Sequence, residues 1–408
     1  MFLNEYDDIP FDALLYLTGE CNYGGRVTDD KDRRLLNSLL SIYYNQNVLK
    51  VEGYSFSPSG VYHVPEETNY AGIIEYVNTL PLSPFPEVFG LHENADITKD
   101  NKETQNLLDS VLLTQTQITA GAGGEDMETI ITELSDDILD KLPYPFDVFE
   151  VEKKYPTEYT QSMNTVLRQE LIRYNGLTKT IRRSLIDVVK AVKGLVVMSK
   201  DLEEVFTSML VGRVPNMWMS VGKSYPSLKP LGSYILDLLQ RLKVFQDWID
   251  GGIPNVFWLS GFYFTQSFLT GVLQNCARQQ KISIDQLGFQ FEVMKFESTK
   301  KIPSFGVYCK GLFMEGARWN RETMLLAESF PKILFDTIPI IWFKPGVKKT
   351  FKPQSIYQSP LYKTTARRGV LSTTGHSTNF VMYVEFKSDK EQRHWINRGV
   401  AALCQLDD

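Results

Sequence analysis

Apolar residues recur every three to four positions along most of this chain, and near Arg278 that helical period gives way to short alternating runs. Leu35, Leu36, Leu39, Leu40 and Tyr43 make the first helical stripe, with Thr28 placed to cap it and Asp29 and Asp30 favouring its start. Between Thr104 and Leu142 two amphipathic helices are expected, one carrying Leu107, Leu108, Val111 and Leu112, the other Ile130, Ile131, Leu134, Ile138 and Leu139, separated by the Gly121 to Gly124 break. The longest helix is predicted from Leu177 to about Leu210. Its apolar side holds Ile181, Leu185, Val188, Val192, Leu195 and Val196, and Lys179, Arg182, Arg183, Lys190 and Lys193 lie largely opposite, as on a solvated face. At about 1.5 Å per residue it would span near 50 Å, a natural strut between domains.

The densest apolar stretch runs from Ser224 to Arg278. Leu231, Tyr234, Ile235, Leu238, Leu242, Phe245 and Trp248 form one stripe; Phe264, Phe268, Leu269, Val272 and Ala277 form the next. Gly251, Gly252 and Pro254 end the first helix, and an aromatic-rich turn from Trp258 to Phe264 follows. Leu238, Trp248, Trp258, Phe264 and Phe268 are therefore expected to be structural core. Beyond Arg278, strands are predicted at Phe289 to Phe296, Phe305 to Met314, Ile333 to Phe343, Phe380 to Phe386 and Val400 to Leu406. In the fourth run Phe380, Met382, Val384 and Phe386 alternate against Val381, Tyr383, Glu385 and Lys387, the pattern of a strand buried on one face. The expected class is multidomain α+β, mainly helical at first and ending in a small antiparallel β-barrel or sandwich with a second core.

At 408 residues the chain is long for one core, and 43% hydrophobic content is that of a globular protein. The net charge of -6 provides no general field for a polyanion, so nucleic acid is not an expected partner. Four dispersed cysteines without CxxC spacing suggest reduced thiols, and the acidic N-terminal stretch with Glu5, Asp7, Asp8 and Asp12 does not resemble a signal peptide. No apolar run has membrane-spanning length, so no membrane partner and a cytoplasmic place are expected.

Candidate chemistry is sparse. Gly24 and Gly25 precede a helix, but acids at its start would repel phosphate, and Gly222 to Ser224 lacks the earlier glycine of a P-loop because Met217 stands there. His92 beside Glu93 and Asp96 has no further ligand at metal-site spacing. Asp285, Glu315, Arg318, Trp319 and Asn320 lack a nucleophile and base in relation to one another. No catalytic, cofactor-binding or metal site is expected. Between Asp336 and Glu385 no acid interrupts a run of cations, and Lys344, Lys348, Lys349, Lys352, Arg367 and Arg368 form a possible interaction surface.

The order of longer motifs is more specific. GECNYGGRVTDD, LHENADIT, SMNTVL, SYPSLKPLGSY, FWLSGFYFTQ, LLAESFPKILF and STTGHSTNF follow one another as in dynein heavy chains, and this sequence closely resembles their C-terminal region. The ending WINRGVAALCQLDD resembles the inner-arm axonemal type. The resemblance implies the C-terminal part of a degenerate sixth AAA+ module over residues 1–103, AAA+ lid helices over 104–150, the helical part of the C-terminal domain over 151–288 and its β-rich, barrel-like part over 289–408. It implies a ring-capping, regulatory region of an ATP-driven, minus-end-directed microtubule motor of cilia and flagella. Partners would be the remaining AAA+ ring, dynein intermediate and light chains, and microtubules through a stalk outside this chain. ATP and Mg would bind elsewhere in the motor, and the chain would be no enzyme by itself. A free-standing adaptor built from a truncated heavy chain is the alternative.

Overall fold

A computed structural model describes residues 6, 8–67, 69–115, 124–219, 224–348, 355–367 and 378–407. The N-terminal part carries α1 (Phe11–Tyr16), α2 (Asp30–Tyr43), α3 (Asn47–Lys50) and α4 (Tyr70–Thr79) joined by irregular, proline-punctuated segments. The cap of α2 is Asp29, one residue beyond Thr28: its carboxylate accepts from the N–H groups of Lys31 (2.8 Å) and Asp32 (3.4 Å), which a charged acceptor does better than a hydroxyl. Among the described residues before position 100, Tyr62 is the buried hydrophobic group.

Then come α5 (Asn94–Gln115), α6 (Gly124–Lys141), α7 (Val148–Lys154) and α8 (Ser162–Val192). Leu107, Leu108 and Val111 on α5 are exposed, whereas Ile131 and Ile138 on α6 are buried in the main core against α8 and α9 (Lys200–Leu210). The predicted strut is thus two helices. α8 starts fifteen residues earlier than Leu177 and stops at Val192, where Gly194 turns the chain at φ +70°. Its 31 residues span about 46 Å. Leu195 and Val196, expected on the buried stripe, lie in the connection and are exposed.

α10 (Asn216–Met219) leads to α11 (Leu231–Gly251) and α12 (Thr265–Gln280), and both long helices pack on α8. Leu238, Trp248 and Phe268 are buried, but Phe264 is 42% exposed and Trp258 only half-buried. Phe264 occupies the position before α12. Its N–H is fixed by the Glu170 carboxylate, and its ring faces outward under the Arg173 guanidinium, 5.0 Å from the ring centre.

The β-rich part follows as β2 (Leu287–Val293), β3 (Val307–Lys310), β4 (Leu312–Glu315), β5 (Arg318–Asn320), β6 (Leu325–Ala327), β7 (Phe335–Ile338), β8 (Ile341–Val347), β9 (Ile356–Tyr362), β10 (Phe380–Lys387) and β11 (Ala401–Leu403). β1 (Phe257–Trp258) reaches back to join it, giving a four-stranded sheet β1-β3-β8-β2, a five-stranded sheet β10-β9-β11-β4-β7 and a β5-β6 pair. Neither large sheet is purely antiparallel, since β1 runs parallel to β3 and β11 parallel to β9, and among the described residues no sheet closes into a barrel. The larger apolar cluster runs from Ile131 through α8, α11 and α12 into both sheets, and a smaller one, built on Tyr362, Ala401 and Leu403, belongs to the five-stranded sheet alone. In β10 a bulge at Val381 resets the alternation: Val381, Val384 and Phe386 are buried while Phe380 and Met382 are not.

At the junction of helices and strands lies Arg241, 2% exposed, bonded to Asp237 (2.6 Å), the Ser260 carbonyl and Gln405 (3.0 Å), with its guanidinium 3.9 Å from the Tyr225 ring centre. The burial contrast predicts that Leu238→Ala lowers unfolding stability by about 2–5 kcal/mol, as core truncations do. Phe264→Ala should cost no more than about 1 kcal/mol, the scale of an exposed cation–π contact. Chemical denaturation of both variants beside the parent checks the ranking.

Candidate functional site at the seam between the N-terminal and β-rich parts

Three groups of contacts join residues far apart in sequence. Asn94, at the start of α5 and buried, donates to the carbonyls of Phe330 and Ile333 (both 2.9 Å) and accepts from the Lys332 N–H (2.7 Å). Lys332 has φ +64°, so the amide clamps a turn that a lysine rarely adopts unaided. From the other side, Arg398 donates to the carbonyls of Gly90 (3.1 Å) and Leu91 (2.8 Å). Gly90 is required there: it has φ +72°, and a Cβ would stand 2.7 Å from that of Asn397. The third group lies on α2, which packs against α13 (Gln392–Asn397): Lys31 stands 3.9 Å over the Phe380 ring, and Arg34 donates to the Gln358 carbonyl (3.3 Å).

Glu328 holds this seam in charge balance. Its Oε1 hydrogen-bonds His394 (2.6 Å) and Lys390 (2.8 Å), and its Oε2 lies 3.2 Å from Arg398 Nε as an ion pair, so a carboxylate charge stands beside the arginine that grips residues 90–91. The His394 hydrogen bond first, then Lys390 and Arg398, pull the Glu328 pKa down to about 2 against the opposing effect of burial. Two cavities flank the seam, of about 630 Å³ beside α2 and about 500 Å³ beside the start of α5, sharing Ala366, Arg367 and Gly399 in their walls. The arrangement has the features of a joint: backbone carbonyls gripped by side chains. Among the described residues no group of three or more His, Cys, Asp or Glu is placed to hold a metal ion.

Of the cationic run, Lys344, Lys348 and Arg367 are among the described residues. Lys344 pairs with Glu292 across β8 and β2 and lies over the Trp342 ring, and Lys348 donates to the Asp285 carbonyl (3.2 Å). Arg367, paired with Glu315, lines the seam instead. Lys349, Lys352, Arg368 and the glycine and lysine of the 222–224 motif fall outside the described residues. Asn94, Glu328 and Arg398 were not singled out from sequence. They lie within the quoted strings LHENADIT, LLAESFPKILF and WINRGVAALCQLDD, but nothing in those strings marks their individual roles.

A helical N-terminal part clasped to an α+β body with this motif order places the protein in the dynein heavy chain family, to which it belongs: the profile of the C-terminal domain of dynein heavy chains matches residues 101–404. The profile of the AAA lid domain of dynein heavy chains matches residues 1–95, N-terminal to the 104–150 allotted to lid helices from sequence. The packing of α6 on α8 agrees with a division near residue 100. Over its full length the sequence is similar to dynein axonemal heavy chain 3 of Mus musculus (61% identical, 10% of that protein's length). It is similarly related to dynein axonemal heavy chain 12 of Homo sapiens (54%, 13%) and dynein axonemal heavy chain 1 of Rattus norvegicus (50%, 9%). It thus spans about a tenth of the length of these relatives.

The depressed Glu328 pKa gives a signed prediction. A folded-state value near 2, below the ordinary 4.5, stabilises the fold above pH 4.5, and that contribution disappears as pH falls through 4.5 toward 2. Thermal melts of Glu328→Gln should therefore lie below the parent near neutrality and converge with it in that window. Separately, Asn94→Ala should cost about 1–3 kcal/mol by leaving the 330–333 turn without its partners. Hydrogen exchange at residues 330–333 should quicken in that variant while α11 stays protected.

Proposed function

We infer that this protein is the ring-capping, regulatory region of an axonemal dynein heavy chain, within an ATP-driven, minus-end-directed motor. The observation that carries this reading is the exposed state of the N-terminal part. Its helices are well formed, yet its apolar side chains remain open: on α4 Tyr70, Ile73, Ile74 and Val77 are 83, 41, 43 and 51% exposed. Such a face needs a covering body, and the remaining AAA+ ring is the body this family offers. The seam then links whatever moves the lid to the rigid α+β body. By similarity to axonemal relatives the expected place is the axoneme of a cilium or flagellum. Intermediate and light chains and, through a stalk outside this sequence, microtubules are partners of the assembled motor.

In this reading the protein supplies no nucleotide chemistry of its own. Asp29 already occupies the first donors of α2 and sets a negative charge where a phosphate after Gly24 and Gly25 would lie. Nucleotide and Mg belong to other modules of the motor. Titration calorimetry of the 408-residue protein with Mg-ATP should be flat; a saturable signal at micromolar nucleotide would overturn that assignment. Deleting the counterpart of Phe289 to Asp408 from a full-length heavy chain tests the regulatory role. Velocity, stall force or basal ATPase should change by the amount a coupling of about 1–3 kcal/mol permits, and three unchanged values would reduce the cap to a structural part.

A further inference from the structure

The outer face of the four-stranded sheet is not explained by the seam or by the capping role. On the inner face Ile341, Phe343 and Cys309 are completely buried. Residues paired across the strands on the other face are Glu292, Trp342 and Tyr308; both rings are half-buried, Lys344 covers part of that of Trp342 at 4.1 Å, and aromatic side chains set side by side on an outward sheet face are of the kind enriched at interfaces. The connection between β2 and β3 extends the strip. Phe296 meets Tyr308 edge-on at 5.4 Å, Tyr308 meets Trp342 at 5.7 Å, and Phe305 meets Trp342 at 5.1 Å. The Trp342 indole N–H donates to the Phe305 carbonyl (2.9 Å), which fixes the ring in place. Phe305 is 46% and Ile302 65% exposed, so the strip is open at that end.

Charge identifies the occupant. Lys295, Lys300, Lys301 and Lys310 are exposed around the strip, and none makes an ion pair among the described residues. The acids on this face are already engaged, Glu297 with Arg321 and Glu292 with Lys344. A protein with net charge -6 therefore concentrates free positive charge around one aromatic strip. We propose that this face is a docking surface for an acidic protein segment that alternates carboxylates with apolar side chains. Carboxylates would meet the lysines, and apolar groups would seat on Trp342, Tyr308 and Phe305, the rigid aromatic anchors that carry binding energy at small interfaces. A nucleic acid fits less well, because the field of the whole molecule repels it.

The test uses the 408-residue protein and so can fail independently of the motor reading. A fluorescein-labelled peptide of about twelve residues, repeating Glu-Glu-Leu-Gly, reaches about 40 Å extended and covers the strip. Anisotropy titration should give saturable binding, with the Gln-Gln-Leu-Gly counterpart about tenfold weaker or more. Lys300→Glu with Lys301→Glu, and separately Phe305→Ser, should each weaken the Glu peptide about tenfold; these side chains are exposed, and unchanged melting would show the fold intact. Lys99→Glu with Lys102→Glu, on α5, should leave binding within about twofold. The proposal fails if the strip variants bind like the parent, if the glutamate and glutamine peptides bind equally, or if a dT12 oligonucleotide binds more tightly than the glutamate peptide.

Discussion

One buried guanidinium ties together parts of the molecule that lie far apart in sequence. Removing Arg241 from water costs several kcal/mol unless every donor is satisfied. Here Asp237 supplies the countercharge one helical turn earlier, Ser260 and Gln405 supply oxygens, and the Tyr225 ring covers one face. Those four partners belong to α11, to the turn after β1, to the segment after β11 and to the approach to α11. Gln405 also donates to the Pro226 carbonyl, so the last residues are anchored at two points. β11 lies between β9 and β4 in the five-stranded sheet, immediately before this anchor. A charge contributed by the helical base thus anchors the segment that follows β11, at the place where the larger apolar cluster passes from helices into strands.

The same dependence sets how much could be read from sequence. Stripes of the proper period located α6, α11 and α12 because each buries a continuous face, and α2 although its stripe is only half-buried; β2 and β10 carry enough apolar residues to stand out. β9 was missed: Gln358, Ser359 and Pro360 interrupt its pattern, yet Tyr357, Ser359 and Leu361 are completely buried because β10 and β11 lie on its two sides. The predicted strut runs past Gly194, where the backbone turns, because Leu195 to Met198 keep the apolar content high. Phe264 was assigned inward by periodicity, but as the residue before a helix its direction is set by Glu170, 94 residues away. Asn94, Glu328 and Arg398 fall within family motifs but act through partners whose positions only the fold determines, so the motifs do not reveal their roles. Family motifs, by contrast, were legible because they are long strings in fixed order.

The contacts across the seam differ in kind from those within the body. Apolar surfaces can slide by fractions of an ångström at little cost, whereas a carboxamide gripping two carbonyls and an N–H loses all three when a turn shifts. The seam is therefore an all-or-none latch more than a compliant pad. Its strength is limited, since Asn94 and Arg398 each bring only a few hydrogen bonds, and the N-terminal part has little core of its own to resist displacement. A body that moves α4 or α2 would transmit that motion either by carrying the α+β unit along or by releasing the latch. Which occurs depends on whether the covering contacts on the exposed apolar face exceed those at the seam. α8, about 46 Å long, packs along the helical base with a buried stripe that runs from Met163 to Ala191. The balance between an open apolar face and a polar latch, a few kcal/mol on each side, is the range in which small changes in contact shift populations of two arrangements.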